Sequence, residues 1–137
     1  MPLVLRLFDA AGNQIKGDSK VPGYEGCIDL LEWSWVANFN PENLLNVTLK
    51  KSYDSATVPL LKKANSGPVL KASLFDIDTS DPTRVQRVDL FQVSVQQAEV
   101  AGTPEPPSKE GFILRCPFMI FYSPDQHDTV ALGTEGG

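Results

Sequence analysis

The stretch Cys27-Ile28-Asp29-Leu30-Leu31-Glu32-Trp33-Ser34-Trp35-Val36-Ala37 decides how the chain is read. Side chains alternate across a strand, so Asp29, Leu31, Trp33 and Trp35 share one face. Ile28, Leu30, Glu32, Ser34 and Val36 share the other. The first face carries both tryptophans of the protein. Neither face is wholly polar, which predicts a central strand covered on both sides for much of its length. Two indoles bury about 150–250 Å² each. At roughly 25 cal/mol per Å² that is several kcal/mol from one short stretch. Trp33, Trp35 and Leu31 are therefore expected in the core.

The totals set the frame. The chain has 137 residues, enough for one domain with a real core. Hydrophobic residues make up 42% and charged residues 21%, which argues against wholesale disorder. A formal charge of -5 argues against nucleic acid as a partner, because phosphate binding needs a basic face. No apolar run reaches the roughly 18 residues that a membrane span requires, so no membrane insertion is expected. Arg6 and Asp9 interrupt the apolar start, and no small-residue cleavage pattern follows. The expectation is assembly in the cytoplasm, with any export using a route that needs no cleaved leader. Cys27 and Cys116 lie far apart in apolar strand patterns, outside any C-x-x-C pair. With His127 as the one histidine, the reading is two reduced, buried thiols, no metal site and no cofactor.

Outward from the tryptophan stretch, Pro2–Asp9 alternates Leu3, Leu5, Leu7 against Val4, Arg6, Phe8, as a first strand does. Gly17–Gly26 is a polar loop rich in breakers. Leu45–Tyr53 alternates again, with Leu45, Val47 and Leu49 inward and Asn46, Thr48 and Lys50 outward. The period then changes. Asp54 or Ser55 suits an N-cap, Pro59 falls in the first turn, and Gly67-Pro68 is a stop. This predicts the one helix over Ser55–Ser66, with Leu60, Leu61 and Ala64 turned to the core. Val69–Asp76, Arg84–Val100 and Phe112–Tyr122 are further strands. The loop 102–111 and the tail 123–137 are expected to be flexible. About six strands and one helix in a single domain, residues 1–137, indicate a mainly β fold. A small antiparallel β-barrel with one flanking helix arranges them most economically, because closure removes free edges.

Few signals point to chemistry. Asp54-Ser55-Ala56-Thr57 resembles an aspartic-protease signature, but Ala56 replaces its glycine and helix capping accounts for Asp54 and Ser55. A calcium loop starting at Asp76 would need Gly and Glu where Asp81 and Arg87 stand. His127 sits between Asp125 and Asp128 in a polar tail. There is no Gly-rich phosphate loop and no Gly-x-Ser-x-Gly elbow. The residues give no grounds for an enzyme.

Four stretches in order carry a resemblance. They are Gly17-Asp18-Ser19, Ile28–Trp35, the strand exit Lys50-Lys51-Ser52-Tyr53-Asp54-Ser55, and the helix Val58-Pro59-Leu60-Leu61-Lys62-Lys63-Ala64. The set resembles the haemolysin-coregulated protein (Hcp) family of type VI secretion over roughly residues 15–100. The resemblance implies a small β-barrel with a flanking helix, shared with phage tail-tube proteins. It implies a non-catalytic subunit that forms homo-hexameric rings. Rings stack into the inner tube of a contractile injection machine beside sheath and spike proteins, and are themselves secreted. Relatives also carry effector cargo in the ring lumen. In the family, a loop corresponding to 38–44 touches the next subunit or ring, which makes Phe39, Asn40 and Pro41 candidate contacts. The chain departs from the pattern at Val36, where the family commonly has Gly, in the shortness of that loop, and over 102–137. A second reading is a monomeric β-barrel that binds a small ligand through Glu32, Ser34 and Tyr53.

Overall fold

A computed structural model describes residues 2–38, 44–66, 70–78, 80–81, 84–102, 109–123 and 128–133. Ten strands and one helix lie among them. In chain order they are β1 (Leu3–Phe8), β2 (Gln14–Ile15), β3 (Ile28–Leu30), β4 (Glu32–Asn38), β5 (Leu44–Ser52), α1 (Thr57–Ser66), β6 (Leu70–Ile77), β7 (Val85–Ala101), β8 (Lys109–Cys116), β9 (Phe118–Tyr122) and β10 (Thr129–Gly133).

The tryptophan stretch is two strands, not one. Before Leu31 the even positions point inward: Ile28 and Leu30 are buried and Asp29 is exposed. After it the odd positions do: Trp33 and Trp35 are half-buried, while Glu32, Ser34 and Val36 are exposed. The phase slips because the chain bends at Leu31, whose N–H donates to the Lys50 carbonyl at 2.7 Å. β3 pairs with β1, and β4 pairs with β5. Leu31 itself is thrown outward, 55% exposed, so it is not a core residue. β4 is the end strand of its sheet and shows its outer face to solvent, which corrects the expectation of a central strand covered on both sides.

This bend closes the barrel. Pairing runs β1–β6–β7–β8–β5–β4, and β4 leads back through β3 to β1, every ladder antiparallel. The 17-residue β7 serves both halves of the wall. Its first part lies between β6 and β9, and its second part pairs with β8. Between them the register slips: Phe91 and Gln92 together oppose Lys71, and Gln92 takes φ 55°. A second slip falls between Val95 and Gln97. Such bulges bend a strand and increase its twist, which lets one strand turn a corner.

Inside, Leu5, Leu7, Ile28, Leu49, Leu74, Leu90, Phe112 and Leu114 are fully buried. Trp33, Trp35 and Phe121 close the core from one side, with Trp35 and Phe121 centroids 6.0 Å apart. A second cluster, Val4, Cys27, Phe75 and Ile77, lies outside the β1–β6 wall under Val21 and Tyr24. The 17–26 loop thus covers the outer apolar face of β6 within the chain.

Four further expectations change. The helix starts at Thr57, with Ser55 and Ala56 in the preceding turn. Ala56 in that turn and Leu60 in the helix, four residues apart, are buried, which leaves Leu61 at 37% exposure and outside the core. Residues 129–133 of the expected loose tail form β10 on β9, and Lys109–Gly111 of the expected loop belong to β8. Phe39, Asn40 and Pro41 lie outside the described residues, as does His127.

Candidate functional site

The motif stretches converge at the helix N-terminus. Gly17 donates to the Gly26 carbonyl at 3.0 Å, and Ser19 to that of Cys27 at 3.0 Å. This lays the Gly17-Asp18-Ser19 turn so close to the next segment that a Cβ on Gly17 would stand 2.7 Å from the Ile28 Cα. Only glycine fits there. The turn aims Asp18 at the helix: its carboxylate accepts the Ser55 N–H at 3.1 Å and the Ser55 hydroxyl. Those bonds, the side-chain one foremost, hold the Asp18 carboxyl below its ordinary value. Asp54 accepts the Ala56 N–H at 2.9 Å, and Thr57 Oγ1 accepts the Asp54 N–H at 3.1 Å.

Behind this turn lies a buried ionic centre. Lys51 Nζ has four oxygens around it: Glu110 Oε1 at 2.6 Å, and Asp54 Oδ1, Thr57 Oγ1 and Ser52 O each at 2.9 Å. Thr57 donates in turn to Glu110 at 2.8 Å. The centre ties β5, β8 and α1 together. It also answers the protease reading of Asp54: its carboxylate and that of Glu110 both contact Lys51, and the cluster closes the helix onto the barrel. The strand phases contain this centre. Lys51 follows Leu45, Val47 and Leu49 on the inward face, and Glu110 precedes Phe112, Leu114 and Cys116. Two inward charges of opposite sign at those phases are the signal in the sequence that could have found the pair.

A second polar centre lies on the outer wall. Arg87 Nε and Nη2 donate to the two Asp89 oxygens at 2.9 and 3.0 Å. Ser73 Oγ and Tyr122 OH donate to the same carboxylate at 2.7 and 3.1 Å. The bond to Asp89 raises the guanidinium above its ordinary value, and burial raises the Tyr122 hydroxyl.

The remaining predicted residues spread over the surface. Leu31 and Tyr53 line one shallow groove of about 200 Å³ near the helix turn. Val58 and Leu61 are exposed on α1, and Val36 and Val130 at the ends of the sheets. Glu32, Ser34 and Tyr53 all stand outside the barrel, so they do not meet around an internal cavity. Cys27 and Cys116 are unpaired and buried. Among the described residues no group of His, Cys, Asp and Glu gathers as metal ligands, and no helix is long and apolar enough to cross a membrane. The Asp78 carboxylate is taken up by the Ser80 N–H and hydroxyl within its own turn.

A closed antiparallel barrel of this order, with one helix docked over a strand exit, defines a known class of fold. No family model and no curated protein sequence matches the chain. Solved structures do. A double mutant of Hcp1 from the E. coli EAEC 042 pathovar has a TM-score of 0.83 at 20% identity, covering 97% of this chain and 99% of that one. Hcp1 from Salmonella typhimurium has 0.77 at 20% identity, over 96% and 92%. The secreted protein Hcp3 from Pseudomonas aeruginosa has 0.79 at 11% identity, over 98% and 99%. The chain has the Hcp fold.

Proposed function

We propose that this chain is a structural ring subunit of a type VI secretion inner tube. One observation carries the reading: the fold agrees with Hcp1 at a TM-score of 0.83 over nearly the whole of both chains. In this reading six copies close into a ring, and rings stack beneath a sheath and behind a spike. The subunit assembles in the cytoplasm, is exported by the secretion machine, and takes effector cargo in the lumen. The surface supports it. A ring joins two different patches by rotation, and each contact buries over about 1,000 Å². Exposed Leu31 and Tyr53 near the bend, Val58 and Leu61 on the helix, and Val36 and Val130 at the sheet ends supply apolar area at separate places.

Size-exclusion chromatography with light scattering tests this, together with negative-stain micrographs. The expected mass is that of six 15.0 kDa chains, about 90 kDa, with annular particles. A lone subunit at high concentration and no annular particles overturns the reading.

A further inference from the structure

Phe75 lies between two guanidinium groups. Arg6 stands 5.3 Å from its centroid and Arg87 5.7 Å. Arg6 also lies over Tyr24 at 5.9 Å, and Arg87 over Tyr122 at 5.0 Å. Tyr24 also packs directly on Phe75, with centroids 5.1 Å apart, so Arg6 caps that ring pair and Arg87 joins Phe75 to Tyr122 across the outside of the wall.

The two cations differ in their counter-charges. Arg87 is neutralised within the chain by Asp89, in a two-pronged contact reinforced by Ser73 and Tyr122. Arg6 is half-buried, and its guanidinium meets only two rings among the described residues. Its cross-strand neighbour Ser73 gives its hydroxyl to Asp89 instead. Tyr24 and Phe75 lie to one side of the Arg6 guanidinium, since their own centroids are 5.1 Å apart, and the donors on its other side are unused among the described residues. Unused donors of a guanidinium can take a carboxylate with two parallel bonds.

We infer that Arg6 is a contact to a second copy of this chain, receiving a carboxylate of that copy on the open side of its guanidinium. The inference rests on the ring reading. Two features favour a second copy. The chain carries 17 acidic against 12 basic residues, so carboxylates are what a neighbouring copy has in excess. A ring contact also joins unlike faces. Exposed Glu99 lies on the outside of the β7–β8–β5–β4 sheet, a different face from that of Arg6, in a cross-strand row with Glu32, which Lys50 already pairs at 3.2 Å. Arginine and tyrosine are also the residue types that concentrate binding energy at interfaces.

The test is dilution of purified rings followed by light scattering, alongside urea melts of the dissociated subunit. Arg6→Gln is expected to raise the concentration at which rings fall apart about tenfold, with a smaller fall in the subunit melt, from its lost contacts with Tyr24 and Phe75, than Arg87→Gln gives. Arg87→Gln is expected to do the reverse, lowering the subunit melt with a smaller effect on dilution. Should Arg6→Gln fail to fold, Arg6→Lys keeps the charge but loses the fork, and is expected to weaken rings several-fold. If the unaltered protein forms rings and the folded variants survive the same dilution, the inference fails while the ring reading stands. If the unaltered protein is a lone subunit at every concentration, both fall.

Discussion

Lys51 and Glu110 meet at 2.6 Å with neither side chain reaching solvent, although 59 residues separate them in the chain. The pair is sealed by Asp54, Thr57 and the Ser52 carbonyl, so both charges are compensated. Removing Lys51 strands Glu110, whereas removing Glu110 leaves Lys51 with Asp54 at 2.9 Å. Lys51→Met is expected to cost about 3–5 kcal/mol in urea unfolding, and Glu110→Gln less. The double variant Lys51→Met/Glu110→Leu is expected to recover most of that loss. Equal stability of all three single and double variants would show that the pair is not buried.

Gly17 is fixed by contact, not by its dihedral angle. A methyl group there meets the Ile28 Cα at 2.7 Å and the Cys27 carbonyl at 2.8 Å, both backbone atoms. Gly17→Ala is expected to destabilise by about 1–3 kcal/mol. Gly111→Ala is the control, since its nearest neighbour is the Leu49 carbonyl at 3.8 Å. Chemical melts in which the two variants behave alike would remove the close-approach argument.

The two indoles should respond differently. Trp33 Nε1 is buried without a hydrogen-bond partner, a cost of about 1–3 kcal/mol in the folded state. Trp33→Phe removes that donor and is expected to stay within about 1 kcal/mol of the unaltered protein. Trp35 is half-buried against Phe121, and Trp35→Ala is expected to cost about 2–3 kcal/mol. Urea melts of the two variants measure both.

Cys116 sets an alkaline limit. Burial pushes its thiol from about 9 up to about 11. The folded state therefore favours the protonated form. Stability from this group is fully present below pH 9, and is lost as pH rises toward 11 and through it. The Tyr122 hydroxyl, raised chiefly by burial, acts in the same direction. Urea midpoints measured from pH 8 upward should fall, and Cys116→Ala should flatten the fall without abolishing it. An unchanged slope in that variant would contradict the assignment.

Gln92 holds φ 55° at the bulge where β7 turns between sheets. A side chain in that region costs about 1–2 kcal/mol, part of which glycine returns as unfolded-state entropy. Gln92→Gly is expected to raise stability by up to about 1 kcal/mol in the same melts. A loss would mean that the Gln92 side chain contributes more than its backbone strain costs.

Most strands were legible because a strand is a local pattern. Leu3, Leu5 and Leu7 alternate with Val4, Arg6 and Phe8, and Leu45, Val47 and Leu49 with their polar neighbours, and these phases appear in the structure. The helix was legible from its change of period and its stop. The family resemblance also picked out segments that do come together: the Gly17 turn, the Lys51 strand exit and the start of α1. What failed was any inference that carried one phase across a bend. Extending the tryptophan face backward places Leu31 in the core, but that extension runs through a corner and Leu31 is exposed. The polar tail 123–137 with its Gly-Gly finish reads as loose, yet its stretch Thr129–Gly133 becomes a strand by adding to β9.

The sequence by itself determined the β class, the single helix and which face of each straight strand is apolar, because these follow from side-chain alternation and local turn chemistry. Tertiary structure alone decided where the wall bends, which lysine and glutamate are sealed together, and which arginine is neutralised. Those outcomes depend on pairing between segments tens of residues apart. No local period records whether a charged side chain will find its partner across the barrel.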